Sequence, residues 1–106
     1  MAPSPRFMEL IEEMKAIHLS KNAGYSGKDN PDPFANFRFA SRFGVTAFLG
    51  CLIRMRDKFI RISNLVKNPA NDQVNENIKD TLMDMAVYCL IAVCLREEEE
   101  NGSGNA

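Results

Sequence analysis

The chain has almost no excess of charge of either sign. Its 106 residues include 13 lysines and arginines against 14 acidic residues, which gives a formal net charge of −1 at pH 7. This balance leaves no overall electrostatic attraction to nucleic acid or to anionic membranes, although a local basic patch is compatible with it. We therefore expect neither duplex nucleic acid nor a membrane as a partner.

The sequence also lacks the cysteine patterns of metal sites and redox motifs. Its three cysteines, Cys51, Cys89 and Cys94, have no CxxC or Cys/His spacing, and an odd number leaves at least one unpaired. All three lie inside apolar helical runs. We expect buried, reduced thiols in a cytosolic protein.

Long apolar runs are missing as well. Residues 1–7 lack the apolar run of a secretory signal. The longest apolar stretch, Ala86 to Leu95, is about half of the roughly 20 residues needed to cross a bilayer. We expect a soluble, cytoplasmic protein, in the host cytoplasm if a phage encodes it.

The spacing of apolar residues predicts an all-α fold, a small helical bundle with one long central helix and an apolar C-terminal helix. The first helix is expected to open with Ser4 as N-cap and Pro5 at its first position, and to end at Gly24. The segment Phe34 to Phe43 is expected to form a short helix closed by Gly44. Its four phenylalanines either anchor the core or form a stacking wall.

The long helix is predicted from Val45 to Lys67, where Asn68-Pro69 breaks it. Steps of three and four residues predict its core stripe. The members of this stripe are Val45, Leu49, Leu52, Met55, Phe59, Ile62 and Val66. The last helix is expected to start between Asp72 and Glu76.

From Met85 to Leu95 the last helix is apolar on nearly all sides, and a domain with so small a core has little material to surround it. We therefore expect self-association. The predicted organisation is an N-terminal segment at 1–6, a single helical domain at 7–96, and an acidic, disordered tail at 97–106.

Polar side chains recur at helical spacing along the last two helices. The long helix carries Arg54, Asp57, Lys58 and Arg61, and the last helix carries Glu76, Asp80, Asp84 and Tyr88. Residues three, four and seven apart share one face of a helix, so the first set forms a mainly cationic stripe and the second an anionic one. Facing each other, the stripes would form a site for a phosphorylated ligand, with or without a metal. Alternatively, they are solvated faces or partners in salt bridges.

Several of these residues belong to a pattern that covers roughly residues 7 to 95. Its elements are Lys21-Asn22-Ala23-Gly24-Tyr25, Asn36-Phe37, Arg54-Met55-Arg56-Asp57-Lys58 with Arg61, Asn64-Leu65-Val66-Lys67-Asn68, and Asp80-Thr81-Leu82-Met83-Asp84 with Tyr88. In this order they resemble the family called nucleotide modification associated domain type 1. That family occurs often in phages and resembles the all-α nucleoside triphosphate pyrophosphatases of the MazG type.

The resemblance implies a helical nucleotide-handling domain that assembles into dimers or higher oligomers. MazG-type enzymes bind Mg²⁺ through a Glu-Glu-x-x-Glu helix paired with a Glu-x-x-Asp helix. Here the long helix carries the cationic stripe instead, and Glu12 and Glu13 do not complete the motif. Asp80 and Asp84 are four residues apart rather than three. These departures weaken the metal-hydrolase interpretation and favour phosphate binding.

The first functional hypothesis is a helical protein that binds a nucleotide or cyclic nucleotide and needs no cofactor for binding. Arg54, Lys58 and Arg61 would bind phosphate, and Tyr25 or Phe37 would cover the base. Asp80 and Asp84 would orient the cations or accept ribose hydroxyls. The full predicted ligand set is Lys21, Tyr25, Asn36, Phe37, Arg54, Asp57, Lys58, Arg61, Asp80, Asp84 and Tyr88. Such a protein could sequester a nucleotide signal or assist nucleotide metabolism.

Two alternatives remain. The first is a Mg²⁺-dependent nucleoside triphosphate pyrophosphohydrolase that uses Asp57, Glu76, Asp80 and Asp84 as metal ligands. The second is a purely structural helical oligomer. The structural alternative explains the core, but it gives no reason for both polar stripes to lie in the segments that match the family.

Overall fold

A computed structural model of the chain describes residues 2–25, 32–68 and 77–102, with the side chains of all of these except 21–25. Its elements are α1 (Pro5–Tyr25), α2 (Ala35–Arg38), a 3-10 helix (Phe39–Phe43), α3 (Ala47–Lys67) and α4 (Ile78–Glu100). Helix α3 packs along α4, while α1 contacts α4 and α2 contacts α3. The described residues contain no strand, so the predicted all-α bundle is confirmed.

Side-chain caps set where the helices begin. The Ser4 hydroxyl accepts a hydrogen bond from the Phe7 N–H at 3.2 Å, which confirms the predicted N-cap. Thr46 caps α3 through the Leu49 N–H, and Asn77 caps α4 through the Asp80 N–H at 2.8 Å. Because Asn77 has an extended backbone, α4 begins at Ile78 and not between 72 and 76 as expected.

Antiparallel packing of α3 on α4 forms the central seam of the bundle. The Cys51 thiol donates to the Tyr88 carbonyl oxygen, and further along α3 Lys58 reaches back to Asp84, so the two helices run in opposite directions. In α3 this seam uses a row of residues three and four apart, namely Cys51, Met55, Lys58, Ile62 and Leu65. In α4 it uses Thr81, Asp84, Tyr88, Ile91 and Leu95, all of which are buried.

The predicted core stripe of α3 is therefore largely wrong. Leu49 and Leu52 are exposed, and Phe59 and Val66 are each 62% exposed, whereas Met55 and Ile62 are partly buried. Both rows repeat at steps of three and four residues, so periodicity alone does not choose between them. The row that packs on α4 contains a lysine, and a carboxylate of α4 faces that lysine.

That ion pair lies inside the seam. The Lys58 ammonium is 3.2 Å from an Asp84 carboxylate oxygen, and the two side chains are only 23% and 11% exposed. Both residues make further interactions as well. Next to Asp84, the fully buried Thr81 donates its hydroxyl to the Asn77 carbonyl oxygen at 3.0 Å. The polar groups of the seam therefore have partners.

Arg38 fastens α2 to the end of α4. Its guanidinium donates to the Asp32 carboxylate on one side and makes two bonds of 2.8 and 2.9 Å to the Glu98 carboxylate on the other. We call these three side chains the Arg38 clasp. Residues 97–100 form the last turn of α4, which ends at Glu100. Residues 103–106 of the predicted tail lie outside the described part of the chain.

The cysteines differ in exposure. Cys51 is fully buried in the seam, where burial raises the pKa of its thiol to about 11. Cys89 and Cys94 are exposed, so the expectation of three buried thiols is wrong for two of them. The reason is that α4 is apolar around most of its circumference while α1 and α3 cover only part of it. No helix within the described ranges is long and apolar enough to span a membrane.

The Arg38 clasp makes stability depend on pH. Arg38 lowers the pKa of Asp32 and of Glu98 below their ordinary values of 3.8 and 4.5. Their stabilising effect is therefore fully present above those values and is lost as pH falls through the depressed folded pKa values. We expect Arg38→Gln to lower the free energy of unfolding near neutral pH by about 1–2 kcal/mol. In urea titrations this difference should shrink toward pH 3 and below.

The matched control for the clasp is Lys15→Gln, which removes an ion pair with Glu12 that is exposed on both sides. It should change stability by less than about 0.5 kcal/mol at either pH. A loss in Arg38→Gln that is the same at both pH values would contradict the clasp.

Breaking the pair in the seam should cost more than breaking a surface pair. We expect Lys58→Met and Asp84→Leu each to lower the free energy of unfolding by about 2–4 kcal/mol, because each takes the opposite charge away from a mostly buried charged group. The double variant should lose clearly less than the sum of the two. Additive losses in chemical denaturation would show that the two charges do not interact.

Candidate ligand-binding site

A cavity of about 330 Å³ lies between α3 and the segment formed by α2 and the 3-10 helix. We call it the aromatic cavity. Its lining comprises Asn36, Phe37, Phe39, Ala40, Phe43, Val45, Gly50, Ile53 and Arg54. The lining therefore combines three aromatic rings with one amide and one guanidinium. This composition suits a ligand that has both a flat apolar part and a charged part.

Local structure places the three rings differently. Phe37 is buried and forms a T-shaped contact with the Tyr88 ring, with centroids 5.8 Å apart, so it anchors α2 on the core. Phe39 and Phe43 form a tilted pair with centroids 6.1 Å apart, and Phe43 is 75% exposed. Gly44 ends the 3-10 helix with a left-handed φ of 76°, as predicted for this closing glycine. The phenylalanines thus divide between the two predicted roles, core anchor and exposed aromatic surface.

Two arginines flank these rings. The Arg54 guanidinium lies 5.7 Å from the Phe37 ring centre, and that of Arg42 lies 4.7 Å from the Phe39 ring centre. Both distances allow cation–π attraction. Among the described residues, Arg54 forms no ion pair with a carboxylate. Its charge is therefore available to an anion at the cavity.

The polar side of α3 continues from the aromatic cavity. Arg54, Asp57, Arg61 and Asn64 follow each other at steps of three and four residues. The last three line a shallow depression of about 340 Å³ together with Ile60 and Leu65. Seven residues separate the two arginines, which corresponds to about 10 Å along the helix. A ligand with two polar ends could reach both places.

The structure brings together only some of the predicted ligand residues. Asn36, Phe37 and Arg54 line the aromatic cavity, and Asp57 and Arg61 line the neighbouring depression. These five residues form one continuous strip on α2 and α3.

Other predicted residues lie inside the bundle or at its end. Lys58 and Asp84 pair with each other in the seam, and Tyr88 is buried against Phe37. Asp80 is exposed in the first turn of α4, where its negative charge suits the positive end of the helix dipole. The two stripes thus meet through an ion pair, which was one of the predicted alternatives. The side chains of Lys21 and Tyr25, and all of Glu76, lie outside the described residues.

The predicted metal ligands do not converge in the described part of the chain. It contains no group of three His, Cys, Asp or Glu side chains placed to hold a metal ion. Asp84 faces Lys58, and Asp57 lies on the side of α3 that lines the outer depression. Glu76, the fourth predicted ligand, lies outside the described residues.

Arg42 is the site residue that sequence reasoning missed. It lies in the 3-10 helix three residues after Phe39 and directly before Phe43, and Gly44 stops the helix just beyond it. The sequence signal that could have identified Arg42 is its place between two phenylalanines and next to the glycine that ends the helix.

Comparison with known proteins adds no relative. The chain matches none of the protein families, curated proteins or solved structures with which it was compared. The family resemblance stated from the sequence motifs therefore stays a prediction.

Gly50 permits the close approach of the 3-10 helix to α3. A Cβ atom at this position would lie 2.9 Å from the Ala40 Cβ, which is closer than two such atoms can pack. We expect Gly50→Ala to displace the wall of the aromatic cavity and to lower the free energy of unfolding by about 1–3 kcal/mol. Chemical denaturation measures the loss.

The control for this contact is the double variant Gly50→Ala with Ala40→Gly, which moves the methyl group from one helix to the other. It should recover a large part of the stability lost in the single variant. If the double variant is no more stable than Gly50→Ala alone, close approach to Ala40 is not the reason for glycine at this position.

Proposed function

We propose that this protein binds a nucleotide or cyclic nucleotide in the aromatic cavity without transforming it. One observation carries the proposal. Arg54, which has no carboxylate partner in the described part of the chain, lines a cavity that also contains the exposed rings of Phe39 and Phe43. An aromatic wall beside an uncompensated guanidinium matches the two parts of a nucleotide, a flat base and an anionic phosphate.

In this proposal the base stacks on the exposed rings. Stacking between a base and an aromatic side chain is worth about 1–3 kcal/mol and tolerates any base, because every base has a π face. The side-chain amide of Asn36 lines the same cavity and can both donate and accept hydrogen bonds at the edge of the base. The rings would therefore bind any base, and the Asn36 amide would select among bases through hydrogen bonds.

The phosphate is assigned to the arginines. A planar guanidinium matches phosphate oxygens in a bidentate geometry, and a charge-assisted bond of this kind is stronger than a neutral one. Arg54 lies at the cavity, Arg42 flanks it, and Arg61 lies one depression further along α3. This spacing supports a ligand with more than one phosphate or a cyclic ligand with two. A protein that binds such a ligand would sequester a nucleotide signal or assist nucleotide metabolism.

The two alternatives have less support. A pyrophosphohydrolase needs carboxylates gathered around Mg²⁺, and Asp84 is instead engaged by Lys58. A purely structural oligomer gives Arg54 and the exposed ring pair no role. The resemblance to nucleotide-handling proteins is consistent with either a binding protein or an enzyme.

Titration calorimetry with nucleoside mono- and triphosphates and with cyclic mono- and dinucleotides tests the proposal. We expect Arg54→Gln to weaken the tightest ligand by more than tenfold, or about 1.4 kcal/mol, because a charge-assisted phosphate bond is lost. Phe43→Ala should weaken it by a similar factor because the ring is lost as a stacking surface.

The matched control is Arg6→Gln, which removes an exposed arginine of α1 that pairs with Glu9 and Glu13 far from the aromatic cavity. It should leave the affinity unchanged. An equal loss of affinity in Arg6→Gln would show that the ligand is held only by nonspecific charge attraction. No binding by the unmodified protein up to about 1 mM would reject the proposal.

Product analysis separates binding from turnover. The unmodified protein, incubated with a triphosphate and Mg²⁺, should release no pyrophosphate, and the ligand should be recovered intact by mass spectrometry. Pyrophosphate release that requires the metal would favour the enzyme alternative.

A further inference from the structure

A second cavity, with a volume of about 220 Å³, lies between α1 and α4. We call it the α1–α4 cavity. Its apolar lining consists of Met14, Phe34, Val87, Leu90 and Ile91. Val87 and Ile91 are buried in the core, whereas Leu90 is 54% exposed, so the cavity has its floor in the core and its mouth at the surface. It shares no lining residue with the aromatic cavity.

The shape of the α1–α4 cavity suits a single hydrocarbon chain. On α4 its lining extends from Val87 to Cys94, a step of seven residues that corresponds to about 10 Å along the helix. A volume of about 220 Å³ over that length gives a mean cross-section of about 20 Å², which accommodates one chain. An apolar cavity of about 150 Å³ holds one benzene molecule, so the α1–α4 cavity has room for about eight or nine non-hydrogen atoms.

The polar groups of the lining favour an anionic head group. Lys15 lines the cavity, and its side chain is 64% exposed, so its ammonium reaches water at the mouth. His18 also lines the cavity, and its partly buried imidazole makes no hydrogen bond or ion pair with any other residue that the structure describes. An imidazole N–H can donate to a ligand. The described lining contains no carboxylate that would repel an anion.

The present partner of Lys15 does not prevent such a contact. The Lys15 ammonium is 3.2 Å from a Glu12 carboxylate oxygen, and both side chains are mostly exposed. An ion pair of this kind contributes little to stability in water. A ligand carboxylate beside His18 can therefore replace Glu12, or join it, without breaking a buried interaction.

We propose that the α1–α4 cavity binds a medium-chain fatty acid of about eight carbons, with its alkyl chain between the apolar walls and its carboxylate at His18 and Lys15. The walls account for the chain, since each methylene that enters the cavity leaves water. The imidazole and the ammonium account for the head group, because both can donate hydrogen bonds to a carboxylate. This site does not depend on nucleotide binding, and either site can fail without the other.

Titration calorimetry with saturated fatty acids of increasing length tests the fit of the chain. Octanoate should bind with a Kd of about 1 mM or lower. It should bind about tenfold more tightly than hexanoate, because each buried methylene contributes a factor of about three to four. Dodecanoate should gain little over octanoate, since its additional carbons lie outside the cavity. No binding of octanoate up to about 10 mM, or a steady increase in affinity through dodecanoate, would overturn the proposal.

The alcohol 1-octanol tests the head group. It has the same number of carbons as octanoate but no charge, so it should bind about fivefold more weakly or worse, because the charge-assisted bonds are lost. Lys15→Gln should weaken octanoate by about threefold and leave the affinity for 1-octanol unchanged. Equal affinities of the unmodified protein for octanoate and 1-octanol would overturn the assignment of a carboxylate.

Leu90 and Val93 provide a matched pair of variants on α4. They are 54% and 52% exposed, but only Leu90 lines the α1–α4 cavity. Leu90→Glu should weaken octanoate by about tenfold or more, because it adds a negative charge beside the ligand. Val93→Glu should leave the affinity unchanged, and circular dichroism establishes that both variants stay helical. An equal loss of affinity in the two variants would overturn the proposal.

Thiol labelling of the unmodified protein gives a readout that no variant can confound. Cys94 lines the α1–α4 cavity, whereas Cys89 is exposed on α4 outside it. Octanoate at about five times its Kd should slow alkylation of Cys94 by about fivefold, because the fraction of free cavities falls by that factor. Alkylation of Cys89 should keep its rate. An unchanged rate at Cys94, or equal slowing of both thiols, would overturn the proposal.

Discussion

The seam between α3 and α4 is the contact on which the rest of the molecule depends. It places Cys51, Lys58, Asp84, Tyr88 and Leu95 between two antiparallel helices, and the remaining elements pack onto its flanks. An ion pair at the middle of an apolar seam is an uncommon choice, because desolvation offsets much of the attraction between the charges. The ion pair fixes the register of α3 against α4, since only one alignment of the helices brings the lysine and the aspartate together.

Using Lys58 in the seam has consequences for the outer surfaces of α3. The row that faces α4 contains a lysine and a cysteine, so the more apolar row with Leu52 and Phe59 remains exposed. The third side of the helix carries Arg54 and Arg61. Helix α3 therefore has three distinct sides: one packs on α4, one is apolar and exposed, and one lines the aromatic cavity.

The aromatic cavity depends on the same arrangement. Phe37 is held by Tyr88 from the seam, and Gly50 lets the 3-10 helix approach α3, so the positions of Phe39, Phe43 and Arg54 follow from core packing. Arg38, the residue after Phe37, also fixes α2 to the C-terminal part of α4 through Glu98. A rigid frame of this kind lets a binding site hold its rings and its guanidinium in place without a ligand.

The helices and most of their ends could be predicted from the sequence alone, because they depend on interactions between residues that are close in the chain. Ser4, Gly44 and the break at Asn68-Pro69 act on their own backbone neighbours, so no distant contact is needed to recognise them. The all-α class follows from the periodicity of apolar residues for the same reason. The members of the site on one helix, such as Arg54 and Arg61, could also be predicted, because helical spacing alone puts them on one side of α3.

Only the tertiary structure decided which side of α3 is buried. Two rows share the same period, and the row that packs on α4 is the less apolar one, in which Lys58 lies opposite Asp84, a residue far away in the chain. In the same arrangement Lys58, Asp84 and Tyr88 lie in the seam, and Leu52 and Phe59 are exposed. Periodicity describes one helix at a time, whereas burial is a property of two helices together.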